Sequence, residues 1–176
     1  MKLLNTFKIV TFFMCSLMIF SCKSTKNNTT NSLERKEDTR AEKKETIFYT
    51  EQVKNDFRAV SAATQKKFIA DYKATSSEYN ILFFTQGFTG EDIVIKLDKE
   101  TLFKGSVLTN KNTGLAKNMR IKNTGDVTIY DKATKKTIQL NSSKAQKHKF
   151  IYIMKGNDTE EKPYKITYSD KLRPEK

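Results

Sequence analysis

The sequence predicts a mainly β protein, an antiparallel β-sandwich of about eight strands preceded by one α-helix. Three observations point there. From Tyr79 onward, apolar residues recur at every second position in short runs. Turn residues separate the runs at intervals of roughly ten positions, the spacing of sandwiches and barrels. Ahead of them, Thr50–Lys73 carries apolar residues at helical spacing instead.

The expected strands follow in order. Tyr79–Gly87 is a strongly apolar run built on Ile81, Leu82, Phe83 and Phe84. Ile93, Ile95 and Leu97 alternate with Val94 and Lys96. Leu102–Leu108 follows the turn Asp98-Lys99-Glu100. Leu115, Lys117, Met119 and Ile121 form the next strand, and Val127 with Ile129 follows Asn123-Thr124-Gly125-Asp126. Ile138 and Leu140 follow Asp131-Lys132-Ala133-Thr134. Phe150, Tyr152 and Met154 alternate with Ile151 and Ile153, and Tyr164, Ile166 and Tyr168 close the series. There is no Trp and no cysteine pair in this region, so nothing marks an antibody-type domain.

The helix is read over residues 47–74. Val53, Phe57, Val60, Thr64, Phe68 and Tyr72 fall near i, i+4, i+7 spacing, with alanines between them. Thr50 is a candidate cap. Lys54, Arg58, Lys66, Lys67 and Lys73 share the polar side. Two readings follow: a basic helix lying on a membrane or partner, or a helix packing its Phe face onto the sandwich.

Upstream the composition changes twice. Lys2 and Lys8 flank an apolar run, Ile9–Phe20, that is too short to span a ~30 Å hydrocarbon core comfortably. Lys23–Glu45 is polar almost throughout and reads as a disordered tether. Between them stands Ile19-Phe20-Ser21-Cys22. This tetrapeptide resembles the lipobox of bacterial lipoproteins, although Phe20 is bulkier than the usual residue there. The resemblance covers residues 1–22 only. It implies cleavage before Cys22, acylation of its thiol and a membrane anchor of two or three acyl chains, each CH₂ contributing about 0.8 kcal/mol. Lys23 in place of an acidic residue favours the outer membrane, on its periplasmic face. The resulting plan is a signal peptide at 1–21, a tether at 22–46, a helix at 47–74, a sandwich at 75–171 and a tail at 172–176.

Two cysteines, one lost with the signal and one acylated, leave none for a disulfide. The formal charge is +13, spread along the chain without a dense basic arm. Such a balance suits anionic lipid, lipopolysaccharide or acidic polymers; nucleic acid is a poor partner for an exported chain. No cofactor motif is present, and no Gly-rich phosphate loop is found. His148, the one histidine, lies between Lys147 and Lys149, which repel a cation, and has no cysteine or second histidine to make a zinc site. No Gly-x-Ser-x-Gly elbow accompanies it. Acidic residues occur at loops (Glu91, Asp92, Asp98, Glu100, Asp126, Asp131, Asp158, Glu160 and Glu161), but lysines intervene and turn chemistry accounts for most of them. A calcium site is therefore not expected. If the strands run strictly up and down, the connections at 122–126 and 141–148 share one end, and Lys122, Lys144 and Lys147 form a candidate anion-binding set. The expected function is a non-enzymatic binding or structural module carried on a lipoprotein. The rivals are a hydrolase of envelope polymers and an inhibitor or immunity-type protein that binds one envelope protein.

Overall fold

The structure, a computed structural model, describes residues 46–174. The expected signal peptide, Cys22 and nearly all of the expected tether lie outside the described residues. Nine strands and two helices follow in the order β1 (Tyr49–Val53), α1 (Ala62–Asp71), β2 (Tyr79–Phe84), β3 (Thr89–Leu97), β4 (Glu100–Leu108), β5 (Lys117–Lys122), β6 (Val127–Asp131), β7 (Lys136–Leu140), α2 (Ser142–Ala145), β8 (Phe150–Lys155) and β9 (Tyr164–Ser169). The eight expected strands are β2 to β9.

They form two sheets, of order β1-β9-β8-β2-β5 and β4-β3-β6-β7. The arrangement is sandwich-like and mainly antiparallel. Two pairings are parallel, β1 with β9 and β2 with β8. The strands therefore do not run strictly up and down.

Burial follows the sequence pattern. In β3, Glu91, Ile93, Ile95 and Leu97 are buried while Asp92 and Lys96 are exposed, as expected of a sheet with one face on a core. In β2 every residue from Asn80 to Phe84 is buried. Its unbroken apolar run is that of a strand covered on both faces. Leu82 and Phe84 join Ile151, Ile153, Ile93, Ile95 and Ile129 in the core between the sheets. Ile81 and Phe83 point the other way, with Phe150, Tyr152, Leu172 and Ala74, into a second apolar cluster against α1. The five-stranded sheet is thus the middle layer of three.

The helix expected over 47–74 is corrected to Ala62–Asp71. Residues 49–53 are instead β1, paired in register with 164–168. The Tyr-Thr-Glu-Gln-Val stretch finds an open edge on β9, and pairing there outweighs a local helical spacing. Ser61, not Thr50, caps α1: it is extended (ψ 153) and its Oγ accepts from the N–H of Thr64 at 3.2 Å. Past the C-cap Tyr72 the chain turns away at Lys73, whose φ of 50 is left-handed. Lys149 Nζ then donates to the carbonyls of Ala74, Ser76 and Tyr79 at 2.8–2.9 Å, and Arg120 donates to that of Lys73. These two cations tie the connection after the helix onto the sheet. Phe68 stacks on Phe83 with centroids 5.9 Å apart, so the Phe face packs onto the sandwich.

The expected tail also begins too early. Leu172 is buried in the second cluster, its N–H donating to Gln65 Oε1 and its carbonyl accepting from Val60 N–H.

Candidate functional site

A cleft of about 490 Å³ opens beside α1 on the outer face of the five-stranded sheet. Three elements build it. The helix contributes Thr64 and Phe68, and the segment leading into it contributes Val60. Strands β2 and β8 contribute Phe83 and Tyr152 as its floor. The β4–β5 connection contributes Gly114, with φ 67, and Leu115. The volume lies within the range of about 300–1,000 Å³ usual for small-molecule sites, and the lining is as apolar as such sites are.

Arg173 is the only charged residue lining the cleft among the described residues. Its guanidinium lies 4.3 Å from the ring centroid of Tyr152 and 4.5 Å from that of Phe57. Its backbone N–H donates to Tyr152 Oη at 3.0 Å, and Tyr152 Oη donates to the carbonyl of Lys171. The arginine is thus anchored through its main chain, and its guanidinium lies against two rings that meet nearly edge-to-face. Its Nε is buried without a hydrogen-bond partner, and it makes no ion pair among the described residues. Burial lowers its pKa, the Tyr152 hydroxyl acting weakly in the opposite sense. Tyr152 is itself pushed up to about 12 by burial. At neutral pH the site therefore holds a positive guanidinium beside a neutral phenol.

A second polar cluster lies at the opposite extreme of pairing. Lys155 ends β8 almost fully buried, and its Nζ sits 2.6 Å from Glu91 Oε1, 2.9 Å from Asp158 Oδ1 and 3.6 Å from Asp131 Oδ2. Glu91 also accepts from Thr89 N–H, Thr89 Oγ1 and Gly90 N–H. Asp131 accepts from Tyr164 Oη at 2.6 Å and from the N–H groups of Ala133 and Thr134. Burial acts to raise the Glu91 carboxyl, but these donors outweigh it and its pKa ends below 4.5. Burial acts to lower Lys155, but its carboxylate partners outweigh it and its pKa ends above 10.5. Three of the acidic loop residues noted in the sequence do converge, and the cation they hold is the Lys155 ammonium. The cluster joins β3 and β6 of one sheet to β8 and β9 of the other.

The other sequence candidates are placed as follows. The connections at 122–126 and 141–148 meet: Ser142 N–H donates to Asp126 Oδ1 at 2.8 Å, and Gln146 Nε2 to the carbonyl of Asn123 at 2.9 Å. Lys144 there is engaged by Glu51 of β1. Lys122 and Lys147 are exposed, and neither makes an ion pair among the described residues. His148 Nδ1 lies 3.2 Å from Asp170 Oδ1, and its ring packs near Tyr168. No Ser, Thr or Cys side chain hydrogen-bonds that ring among the described residues. A further basic surface was not singled out in the sequence. On the outer face of the four-stranded sheet, a shallow groove carries Lys96, Lys104 and Lys132 around Tyr130. Sheet alternation alone could have found it, since Lys96 and Val94 share one face of β3.

Arg173 had no signal in the sequence. It stands three residues from the end of the chain, next to Pro174, and reads as tail. No protein-family model, curated protein or solved structure matches this chain.

Proposed function

We propose that the chain is a lipid-anchored lipoprotein of the bacterial envelope, held through Cys22, and that its sandwich is a non-enzymatic binding module whose site is the cleft beside α1. The lipobox-like Ile19-Phe20-Ser21-Cys22 and the polar stretch after it support the anchor and tether. Lys23 favours the periplasmic face of the outer membrane. The observation that carries the binding reading is the cleft itself: an open, aromatic-floored volume of about 490 Å³ on a sheet whose other face is closed. A protein that only needed stability would gain by filling it, because apolar surface left in water forfeits ~25 cal/mol per Å².

Two measurements test this. Intact mass of the membrane-extracted protein gives a chain starting at acylated Cys22; a different first residue refutes the anchor. Nile red, an uncharged apolar dye, fluoresces on binding the folded chain. Thr64→Trp, which places an indole at the cleft wall on an exposed helix position, abolishes that signal with an unchanged circular dichroism spectrum. Absence of dye binding to the wild type, or full binding to Thr64→Trp, refutes the cleft as the binding site.

A further inference from the structure

We propose that the cleft takes a single-chain amphiphile with a carboxylate head, a long-chain fatty acid, and that Arg173 is its head-group site. The inference rests on the binding reading above and adds the chemical class of the ligand.

The argument begins with the guanidinium. It carries five N–H donors in a fixed fork that matches a carboxylate edge-on. None of them has an acceptor among the described residues, and Nε is fully buried. Phe57 and Tyr152, whose rings meet nearly edge-to-face, lie against the group from two directions about a right angle apart and give its charge no carboxylate partner. Nε is closed off by protein, so the terminal Nη1 and Nη2 are the donors that can meet the acceptor of whatever enters the cleft.

Charge fixes the kind of head. One cation lines the site, so one negative charge is balanced there. A dianionic phosphate would leave a charge uncompensated against Phe68, Phe83 and Leu115, which apolar surroundings penalise heavily. A cationic or sugar head would leave Arg173 unpaired. The remaining wall fixes the body. Val60, Phe68, Phe83, Leu115 and Leu172 supply most of that wall, with Thr64, Thr85, Gln86 and Thr113 as uncharged polar members, and such a mainly apolar wall suits an alkyl chain.

The test uses the full chain carrying Cys22→Ser, so that no covalent acyl group competes, in detergent-free buffer. Calorimetric titration compares laurate with dodecanol, which has the same tail and no charge. Laurate is expected to bind more tightly than dodecanol. Arg173→Gln is expected to weaken laurate by about 10- to 100-fold, the loss of one charge-assisted pair, and to leave dodecanol unchanged. Arg173→Lys restores part of the preference, because a point charge replaces the fork. Equal affinity for both probes, or laurate binding indifferent to Arg173→Gln, overturns the head-group site while the cleft remains a binding site. Failure of both probes to bind overturns the cleft reading as well.

Discussion

Replacing Lys155 with Met removes the one buried cation among the described residues and keeps the volume of its stem. Glu91 and Asp131, both nearly inaccessible, lose the ammonium at 2.6 and 3.6 Å. Breaking a buried pair by deleting one partner costs about 3–5 kcal/mol. The lower end applies here. Glu91 keeps three donors from Thr89 and Gly90, and Asp131 keeps Tyr164 Oη and two backbone N–H groups. A loss of ~3 kcal/mol lowers Tm by roughly 10 °C for a domain of this size.

The pH dependence gives the sharper check. In the wild type the Glu91 pKa is depressed, so its contribution is complete above pH 4.5 and is lost as pH falls through its folded value. The Lys155 pKa is raised, so its contribution is complete below pH 10.5 and is lost as pH rises through its folded value. Without the ammonium, one of the influences that lower Glu91 is gone, so its carboxyl takes up a proton at a higher pH than in the wild type. The variant therefore loses less stability than the wild type as pH falls. Urea unfolding followed by circular dichroism should therefore show the gap between the two proteins narrowing from pH 7 to pH 5. A gap under ~1 kcal/mol at pH 7, or one that widens at pH 5, would mean that the cluster is not held by Lys155 in the way described.

Other perturbations have equally direct readings. Gly87→Ala places a Cβ 1.8 Å from the carbonyl oxygen of Lys155 at a φ of 90, so the β2–β3 turn must move and the thermal midpoint should fall steeply; a midpoint within a degree of wild type would show that the turn gives way freely. Asn80→Ala removes the donor that ties β2 to the carbonyls of Ala145 and His148; a loss of about 1–3 kcal/mol in urea unfolding is expected, with faster hydrogen exchange in α2. Binding of the soluble chain to anionic vesicles should weaken with salt over a Debye length of ~8–10 Å. Substituting Lys122, Lys144 and Lys147 with Gln tests one basic surface, and substituting Lys96 and Lys104 tests the groove on the other sheet. Unchanged binding in both would leave the charge as a matter of solubility.

The strands were legible because period-2 patterning survives wherever one face of a sheet is buried, as in β3 with Ile93, Ile95 and Leu97. In β2 and β8 even the loss of alternation was informative, since Ile81–Phe84 and Phe150–Ile153 are covered on both sides. The helix was half legible. Phe57 and Phe68 do reach the same aromatic cluster, but only Phe68 does so from a helix. The eleven-residue spacing between them fits helical turns and also fits an extended segment followed by a turn at Ser61. The pairing of β1 with β9 joins residues 115 positions apart, and no local pattern carries that information. The same holds for both polar sites. Glu91, Asp131 and Asp158 were visible as acidic loop residues, but that they share one lysine depends on how the two sheets stack. Arg173 depends on where the chain runs after β9.

The corrected helix bounds also explain why a cleft exists. Five strands about 4.8 Å apart present a face roughly 19 Å wide. A helix of ten residues is about 15 Å long and about 10–12 Å across with its side chains, so α1 alone covers only part of that face. A helix running from Thr50 to Lys73 would be more than twice as long and would overhang the sheet. The chain instead gives its first residues to β1, caps the helix at Ser61 and turns away past its end at the left-handed Lys73. The short segments 54–61 and 171–174 cover one flank, placing Phe57 and Arg173 against Tyr152. The β4–β5 connection reaches the other flank with Thr113, Gly114 and Leu115. Between the two, Phe83 and Tyr152 are left as a floor with an arginine at one end. The opening is therefore a consequence of where α1 begins and ends, and the two residues that set those limits, Ser61 and Lys73, lie outside the cleft they define.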